Sequence, residues 1–256
     1  MNWILNVYAL PSVVTPEELA GGIVVVIDVL RASTTIIYAL GAGAIEVVPC
    51  VEVEEARARA AEFPDGEALL GGERGGLPIP GFDLGNSPEE YGSASIEGMS
   101  LVFTTTNGTR ALHQARLARR VLIGGFVNAS AMLRQLAGEP QIHLLCAGSN
   151  GEITRDDVLC AGLFVTRTLQ QGGVEYRLNA QAVVARENWV QSFPVPLAVG
   201  AEPLSAQRLA DELRKSLAGK KLVSIGREED ILAAAQLDRF AIVPELDLET
   251  FRIRLP

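Results

Sequence analysis

The chain has 256 residues, enough for one large domain or two small lobes around a sizeable core. Its apolar fraction is 48% and its aromatic fraction 5%, so Ala, Val, Leu and Gly must do most of the packing, as in α/β proteins with buried parallel strands. The net charge of −9 argues against a general nucleic-acid binder, because phosphate-backbone binding needs surplus Lys and Arg, while leaving room for a local basic pocket that takes a small anion.

In chain order, residues 3–8 read as a strand. Thr15, Pro16, Glu17 and Glu18 form a capping-box pattern with proline at the first helical position. Residues 22–28, GIVVVID, are a continuous apolar run ending on a carboxylate, as in a buried parallel strand. Ser33 can cap a helix to about residue 40, 45–49 is a strand and 53–62 a helix. Residues 71–88, GGERGGLPIPGFDLGNSP, show little helical or strand period. A long connection of this kind is usually functional or disordered, and Glu73, Arg74, Asp83 and Asn86 among its glycines favour function.

Strand 101–104, helix 107–118, strand 121–124, helix 128–137 and strand 141–146 follow. A glycine-rich turn then leads to a helix over 155–171, stopped by Gly172 and Gly173. Residues 205–218 read as one amphipathic helix closed by Gly219, 228–237 as a further helix, and 240–243 and 250–254 as strands. Pro194, Pro196 and Pro203 mark a break near 190–204. The alternation predicts a layered α/β/α sandwich with a largely parallel or mixed sheet. It reads as a single domain over 1–256, with a sub-lobe boundary near 175–204.

Cys50, Cys146 and Cys160 form no CxxC pair, so a disulfide framework or structural zinc is not expected, and a reducing cytoplasm fits. Residues 1–10 lack a basic start and a small-residue cleavage site, and no apolar run would span a bilayer. The expected setting is cytoplasmic, without a membrane partner; a homo-oligomer is left open.

Three motifs follow three predicted strands. Asp28 to Thr35 is DVLRASTT, Thr104 to Arg110 is TTTNGTR, and Cys146 to Asp157 is CAGSNGEITRDD. Ligands sit outside the carboxyl ends of strands in open parallel sheets. If these strands run parallel, one edge carries Asp28, Asp156 and Asp157 beside Arg31, Arg110 and several hydroxyls. Such a mixture suits phosphoryl transfer, which needs cations around the phosphoryl oxygens and a placed nucleophile. Arginine offers a planar fork for phosphate, and helix starts after Ser33 and Asn107 would aim N–H groups at an anion. Carboxylates there would repel the substrate unless a hard cation lay between them, and Mg²⁺ suits oxygen ligands. His113 and His143 are too far apart in sequence to suggest a zinc site.

Blander readings stand beside these. Asp28 could simply cap the next helix. Residues 104–109 could be an ordinary turn. Asp156 and Asp157 fall in a first helical turn, where the dipole favours acids. Cys146, Cys160 and Trp189 read as packing. Familiar templates fail: the dehalogenase-type phosphatase pattern needs an Asp where Leu30 stands, and a cysteine phosphatase needs an Arg where Glu152 stands. No GxxxxGK[ST], GxGxxG or GxSxG string occurs.

DVLRASTT (from Asp28), GGERGGLPIPGFDLGNSPEEY (from Gly71), TTTNGTRAL (from Thr104) and CAG with DDVLCAG (from Cys146 and Asp156) occur in that order. They cover roughly residues 20–165 and resemble the 2-phosphosulfolactate phosphatase family. The resemblance implies a Mg²⁺-dependent phosphatase converting 2-phospho-3-sulfolactate, a small anionic organophosphate, to 3-sulfolactate and phosphate. In organisms that make coenzyme M, this step belongs to its biosynthesis. By motif the resemblance carries over Asp28, Arg31, Glu73, Arg74, Asp83, Asn86, Asn107, Arg110 and Asp157; from their chemistry, Asp28, Arg31 and Arg110 are expected to be catalytic. Ser33, Thr34, Arg74, Asn86, Thr106, Asn107, Gly108 and Thr109 would bind substrate, with Arg74 on the far sulfonate or carboxylate. Asp28, Glu73 and Asp157 would hold or orient Mg²⁺, partly through waters. The family pattern has Glu where Asp156 stands. Asp28 as a covalent nucleophile is a rival mechanism. Another small phosphorylated acid as substrate, or a non-catalytic anion-binding protein, are rival functions.

Overall fold

Residues 3–194 and 204–256 are described by the structure, a computed structural model. Among the described residues eleven strands join one sheet: β1 (Ile4–Tyr8), β2 (Ile23–Ile27), β3 (Glu46–Cys50), β4 (Ala68–Arg74), β5 (Leu77–Pro78), β6 (Ser100–Thr104), β7 (Arg120–Gly124), β8 (Gln141–Cys146), β9 (Arg177–Leu178), β10 (Glu245–Asp247) and β11 (Arg252–Arg254). Their order is β5-β4-β6-β3-β11-β10-β7-β2-β8-β1-β9. The Val/Ile run of β2 lies at the centre of one half and is buried along its whole length, as its unbroken apolar pattern demands.

The helices are α1 (Pro16–Leu19), α2 (Ala32–Gly41), α3 (Val53–Ala60), α4 (Ser93–Ile96), α5 (Gly108–Gln114), α6 (Ala129–Leu136), α7 (Arg155–Gln171), α8 (Ala180–Ser192), α9 (Ala206–Leu213), α10 (Leu217–Ser224) and α11 (Glu228–Ala234). The capping box of α1 forms as read: Thr15 Oγ1 accepts from the Glu18 amide, and Glu18 accepts from the Thr15 amide. The architecture is the expected layered α/β, with a mixed sheet. Two apolar clusters divide the faces of β2, Val25 and Ile27 in one and Val24 and Val26 in the other, as period-two alternation requires. Among the described residues no helix is long and apolar enough to cross a membrane.

Strand direction departs from the simple expectation. Strands β7, β2, β8, β1 and β9 are mutually parallel, and so are β3, β6 and β4. Between these groups lies the β10–β11 hairpin, paired antiparallel with β7 on one side and β3 on the other. Three successive antiparallel pairings reverse direction, so the two parallel groups run in opposite senses. A single parallel edge therefore does not collect the three motifs; only those after β2 and β8 share one.

Other boundaries moved for local reasons. Residues 68–74 are an edge strand, missed because Gly71 and Gly72 break the apolar pattern. Gly72 has φ +143°, and an added Cβ would run into the Thr104 carbonyl oxygen of β6, so only glycine lets the strands pair there. The expected helix over 205–218 is two. The first ends at Leu213, and Ser216 caps the second, its Oγ accepting from the Gly219 amide at 2.9 Å. Gly219 lies inside α10 instead of closing α9. Residues 240–243 form no strand; the pairing falls to β10 just beyond. Pro196 and Pro203, and most of the expected sub-lobe break, lie outside the described residues.

One core group carries a testable cost. His143 in β8 is 1% exposed, stacks on Tyr8 at 5.9 Å, and neither ring nitrogen has a partner. Burial pushes its pKa down from 6.5 to about 4. The unfolded chain therefore takes up this proton well before the folded one. Its contribution to stability is intact above about pH 6.5 and falls by about 3 kcal/mol as the pH drops to 4. His143→Leu should abolish that loss. Urea unfolding at pH 7 and pH 4.5 should show the variant gaining on the native chain by about 2–3 kcal/mol at the lower pH; an equal difference at both would remove His143 from the acid limb.

Candidate active site

A cleft of about 480 Å³, solvent at its mouth included, is lined by Asp28, Arg31, Glu73, Asn86, Thr105, Thr106, Asn107, Ser149 and Asn150, with Gly76 and Lys221 at one side. It draws on the turn after β2, the β4–β5 hairpin and its continuation, the turn after β6, the turn after β8, and α10.

Asp28 follows β2 and is 7% exposed. Its Oδ1 accepts from the Ala32 amide at 3.2 Å and so holds the start of α2. Its Oδ2 makes no hydrogen bond among the described residues and lies beside Gly108, where an added Cβ would come within 3.1 Å of it. Thus the helix-starting role and a free oxygen in the cleft belong to the same side chain. Burial first, then the charges of Asp156 and Glu73, push the Asp28 carboxyl up to about 7 against the Ala32 amide and Arg31. Asp156 is 1% exposed with Oδ1 unpartnered, and burial pushes its carboxyl up to about 6. It lies behind the cleft and does not line it.

Arg31 is 5% exposed. Its Nη1 pairs with Asp230 Oδ2 at 2.6 Å and its Nη2 donates to the Gly76 carbonyl at 2.9 Å. Asp230 also accepts from the Ser87 hydroxyl, so α11 ties two loops of the cleft together. Glu73 Oε1 accepts from the Thr106 amide at 3.0 Å and the Thr106 hydroxyl at 2.9 Å, while Oε2 accepts from the Gly76 amide. The Asn107 side-chain oxygen accepts from the Asn150 amide at 2.9 Å, joining the third motif to the fourth. Asn86 is 5% exposed, and its Oδ1 is buried without a partner. An acceptor buried without a donor among the described residues, on a side chain that lines the cleft, is open to a water, a ligand or a cation.

Several residues expected to bind substrate are placed elsewhere. Ser33 Oγ accepts from the Asp28 amide and donates to the Val26 carbonyl, and Thr34 donates to the Val29 carbonyl at 2.8 Å. Both hydroxyls are spent on the turn that presents Asp28. Gly108 and Thr109 are buried behind the cleft in the first turn of α5. Arg110 is exposed and does not reach the cleft, because it stands roughly 200° round the helix from Gly108, which faces Asp28. Arg74 also lies outside the lining. Adjacent strand residues project to opposite faces, and Glu73 takes the cleft side. Arg74 instead braces the Glu73 and Val51 carbonyls and the Thr104 hydroxyl.

Of the expected metal trio, Asp28 and Glu73 line the cleft and Asp157 does not. Asp157 Oδ1 accepts from the Val29 amide at 2.9 Å and Oδ2 from the Gly148 amide at 3.0 Å. It staples the turns after β2 and β8 beneath the cleft, and burial with the charges of Asp156 and Asp28 pushes its pKa well up. Among the described residues no group of three or more Asp, Glu, His or Cys could hold a metal ion. The cleft still offers a hard-oxygen donor set in Asp28, Glu73 and the orphaned Asn86 carbonyl. This fits a cation that binds through one or two carboxylates and keeps its waters, as Mg²⁺ does, and does not fit one requiring nitrogen or sulfur.

Sequence reasoning did not single out Thr105, Ser149, Asn150, Ser87 or Lys221 for the site. Asn150, at φ 52°, stands in the glycine-rich turn, where Ser-Asn-Gly was the available signal. Lys221 on an amphipathic helix gave none.

Residues 8–249 match the family model described as 2-phosphosulpholactate phosphatase. A relative from Symbiobacterium thermophilum is 42% identical over 229 residues, 89% of this chain and 92% of its own. One from Deinococcus radiodurans is 36% identical, covering 90% of each chain. One from Pseudothermotoga lettingae is 34% identical, covering 94% of this chain and 95% of its own. All three carry the name probable 2-phosphosulfolactate phosphatase.

Proposed function

This chain belongs to the 2-phosphosulpholactate phosphatase family, and on that premise we propose that it hydrolyses 2-phospho-3-sulfolactate to 3-sulfolactate and phosphate. It is an enzyme, a phosphoric monoester hydrolase. The observation that carries the assignment onto these residues is the free Asp28 Oδ2 in a cleft that also holds the Arg31 guanidinium and the unpartnered Asn86 oxygen.

Arg31 is held rigid by Asp230 and the Gly76 carbonyl, so its remaining N–H donors are set toward the phosphoryl oxygens without reorganisation. Thr105, Ser149 and the Asn150 side chain, which line the same cleft, supply neutral donors around that group. Asp28 orients the attacking water and takes its proton. Glu73 fixes the Thr106 turn and the Gly76 turn at once. The family resemblance also implies Mg²⁺, which Asp28, Glu73 and the Asn86 carbonyl would hold directly or through waters, supplying positive charge to the phosphoryl oxygens when bound.

The test is release of inorganic phosphate from 2-phospho-3-sulfolactate, 2-phospholactate and phosphoglycolate, with Mg²⁺ and with EDTA. Fastest release is expected from phosphosulfolactate, falling by at least about 10²-fold in EDTA and returning on re-addition of Mg²⁺. Undiminished turnover in EDTA would remove the cation from the scheme. A better rate on another ester would reassign the substrate, and silence on all three with tight anion binding would make the protein a binder.

A further inference from the structure

We infer that Lys221 is a substrate-specificity residue, the group that reads the non-reacting anion of the ester. The inference rests on the hydrolase reading above and names a residue of its site that the chain's motifs do not include.

Helix α10 reaches the cleft because of the break at Ser216. That hydroxyl caps α10 in place of one long helix, and Gly219 lets the new helix turn tightly against the Leu213–Arg214 backbone. Ala218, Lys221 and Leu222 stand three and four residues apart, so they share one face, and all three line the cleft. Lys221 is half-buried there. An added Cβ on Gly76 would stand 3.3 Å from Lys221 Cε and 3.7 Å from Nζ. The Gly76 backbone is thus bounded by three cleft side chains: Glu73 on its amide, Arg31 on its carbonyl and Lys221 against its α-carbon.

Charge then singles Lys221 out. Four charged side chains line the cleft: Asp28, Glu73, Arg31 and Lys221. The Arg31 charge is already matched by Asp230 at 2.6 Å. The Lys221 ammonium makes no ion pair and no hydrogen bond among the described residues. A half-buried ammonium with no counter-ion, in a cleft that otherwise carries unmatched carboxylates, is set to receive an anion. The phosphoryl group belongs beside Asp28 and Arg31. Lys221, reached across Gly76 from Arg31, is then placed for the strong-acid oxyanion at the other end of a short substrate, a sulfonate or a carboxylate. An ammonium suits either as a compact point charge, without the bidentate geometry of a guanidinium. Arg74, expected in this role from the motif, is turned away to brace β4.

The experiment measures kcat/KM of the full chain on 2-phospho-3-sulfolactate, 2-phospholactate and ethyl phosphate, for the native protein, Lys221→Met and Lys221→Arg. Thermal unfolding confirms the fold of each, and binding of 3-sulfolactate is followed by calorimetry. In Lys221→Met the preference for phosphosulfolactate over ethyl phosphate should fall by at least about tenfold, mainly through KM, and Lys221→Arg should recover most of it. If the preference over phospholactate also collapses, the anion read is the sulfonate; if that ratio stays, it is the carboxylate. Equal losses on all three esters, or no loss, overturn the inference and leave the hydrolase reading standing. Should the native chain cleave no ester yet bind 3-sulfolactate at least about tenfold more tightly than Lys221→Met does, the hydrolase reading fails and the role of Lys221 stands. Neither cleavage nor binding in the native chain sinks both.

Discussion

Asp28→Asn should lower kcat by at least about 10³-fold while raising the melting temperature of the metal-free protein. The two effects share one cause. Asp28 is held in the cleft by the Ala32 amide with Oδ2 unbonded, so the amide replacement keeps its size and helix-starting contact but loses the charge that orients water or cation. A loss of that size, about 4 kcal/mol of barrier, is typical of removing a group that acts on the reacting atoms. On the stability side, burial and the neighbouring Asp156 and Glu73 push the folded carboxyl up from 3.8 to about 7. The folded state therefore holds this proton more tightly than the unfolded one. The stability this confers is complete below about pH 4 and is lost as the pH climbs through 7. Asparagine mimics the protonated form, so the advantage of the variant should grow from pH 4 to pH 7 and reach about 2–4 kcal/mol, several degrees in Tm. Calorimetry across that range, with phosphate release on the same samples, checks both. Near-native turnover would take Asp28 out of the chemistry, and an unchanged Tm would mean that its charge is better solvated than its burial indicates.

Asp230→Ala should be the most destabilising single change at the site. The Arg31–Asp230 pair has side chains only 5% and 2% exposed, and Asp230 also takes the Ser87 hydroxyl. Deleting one partner strands a buried guanidinium, which costs about 3–5 kcal/mol, roughly 10 °C for a chain of this size. Turnover should fall by about 10²-fold or more as Arg31 loses its fixed direction. The double variant Arg31→Met with Asp230→Ala separates the two effects. Removing both charges should return part of the stability, since a buried pair replaced by apolar groups is often near neutral, and should return none of the activity. Denaturant titration of Asp230→Ala, Arg31→Met and the double variant against the native chain gives the coupling. A single variant that loses less than about 1 kcal/mol would show that the pair is a surface-type contact.

The residues that the sequence marked divide by what surrounds them. The elements with a strong period were legible: the buried run of β2, the capped start of α1 and the glycine stop after α7 each follow from local chemistry. The alternation of strands and helices gave the layered α/β class, and the four motif strings gave the family, because both depend on order along the chain. Asp28, Thr106 and Asn107 could be singled out as turn residues after strands, and Glu73 and Asn86 as polar residues of the glycine-rich 71–88 segment, for the same reason. Direction in space was a different matter. Arg110 and Arg74 look like phosphate ligands as letters, but two residues round a helix and one along a strand turn them away from the cleft. Asp157 reads as a metal ligand until the amides of Val29 and Gly148 claim its oxygens, contacts made between turns 128 and 9 residues distant from it. Lys221 and Asp230 arrive from the far end of the chain, Lys221 through the helix break at Ser216, while the β10–β11 hairpin reverses the sense of half the sheet. Those placements depend on which buried surfaces pack together, and packing between segments remote in sequence leaves no local period to read. The chain order therefore determined the chemistry available, and only the tertiary contacts decided which of those groups face the cleft.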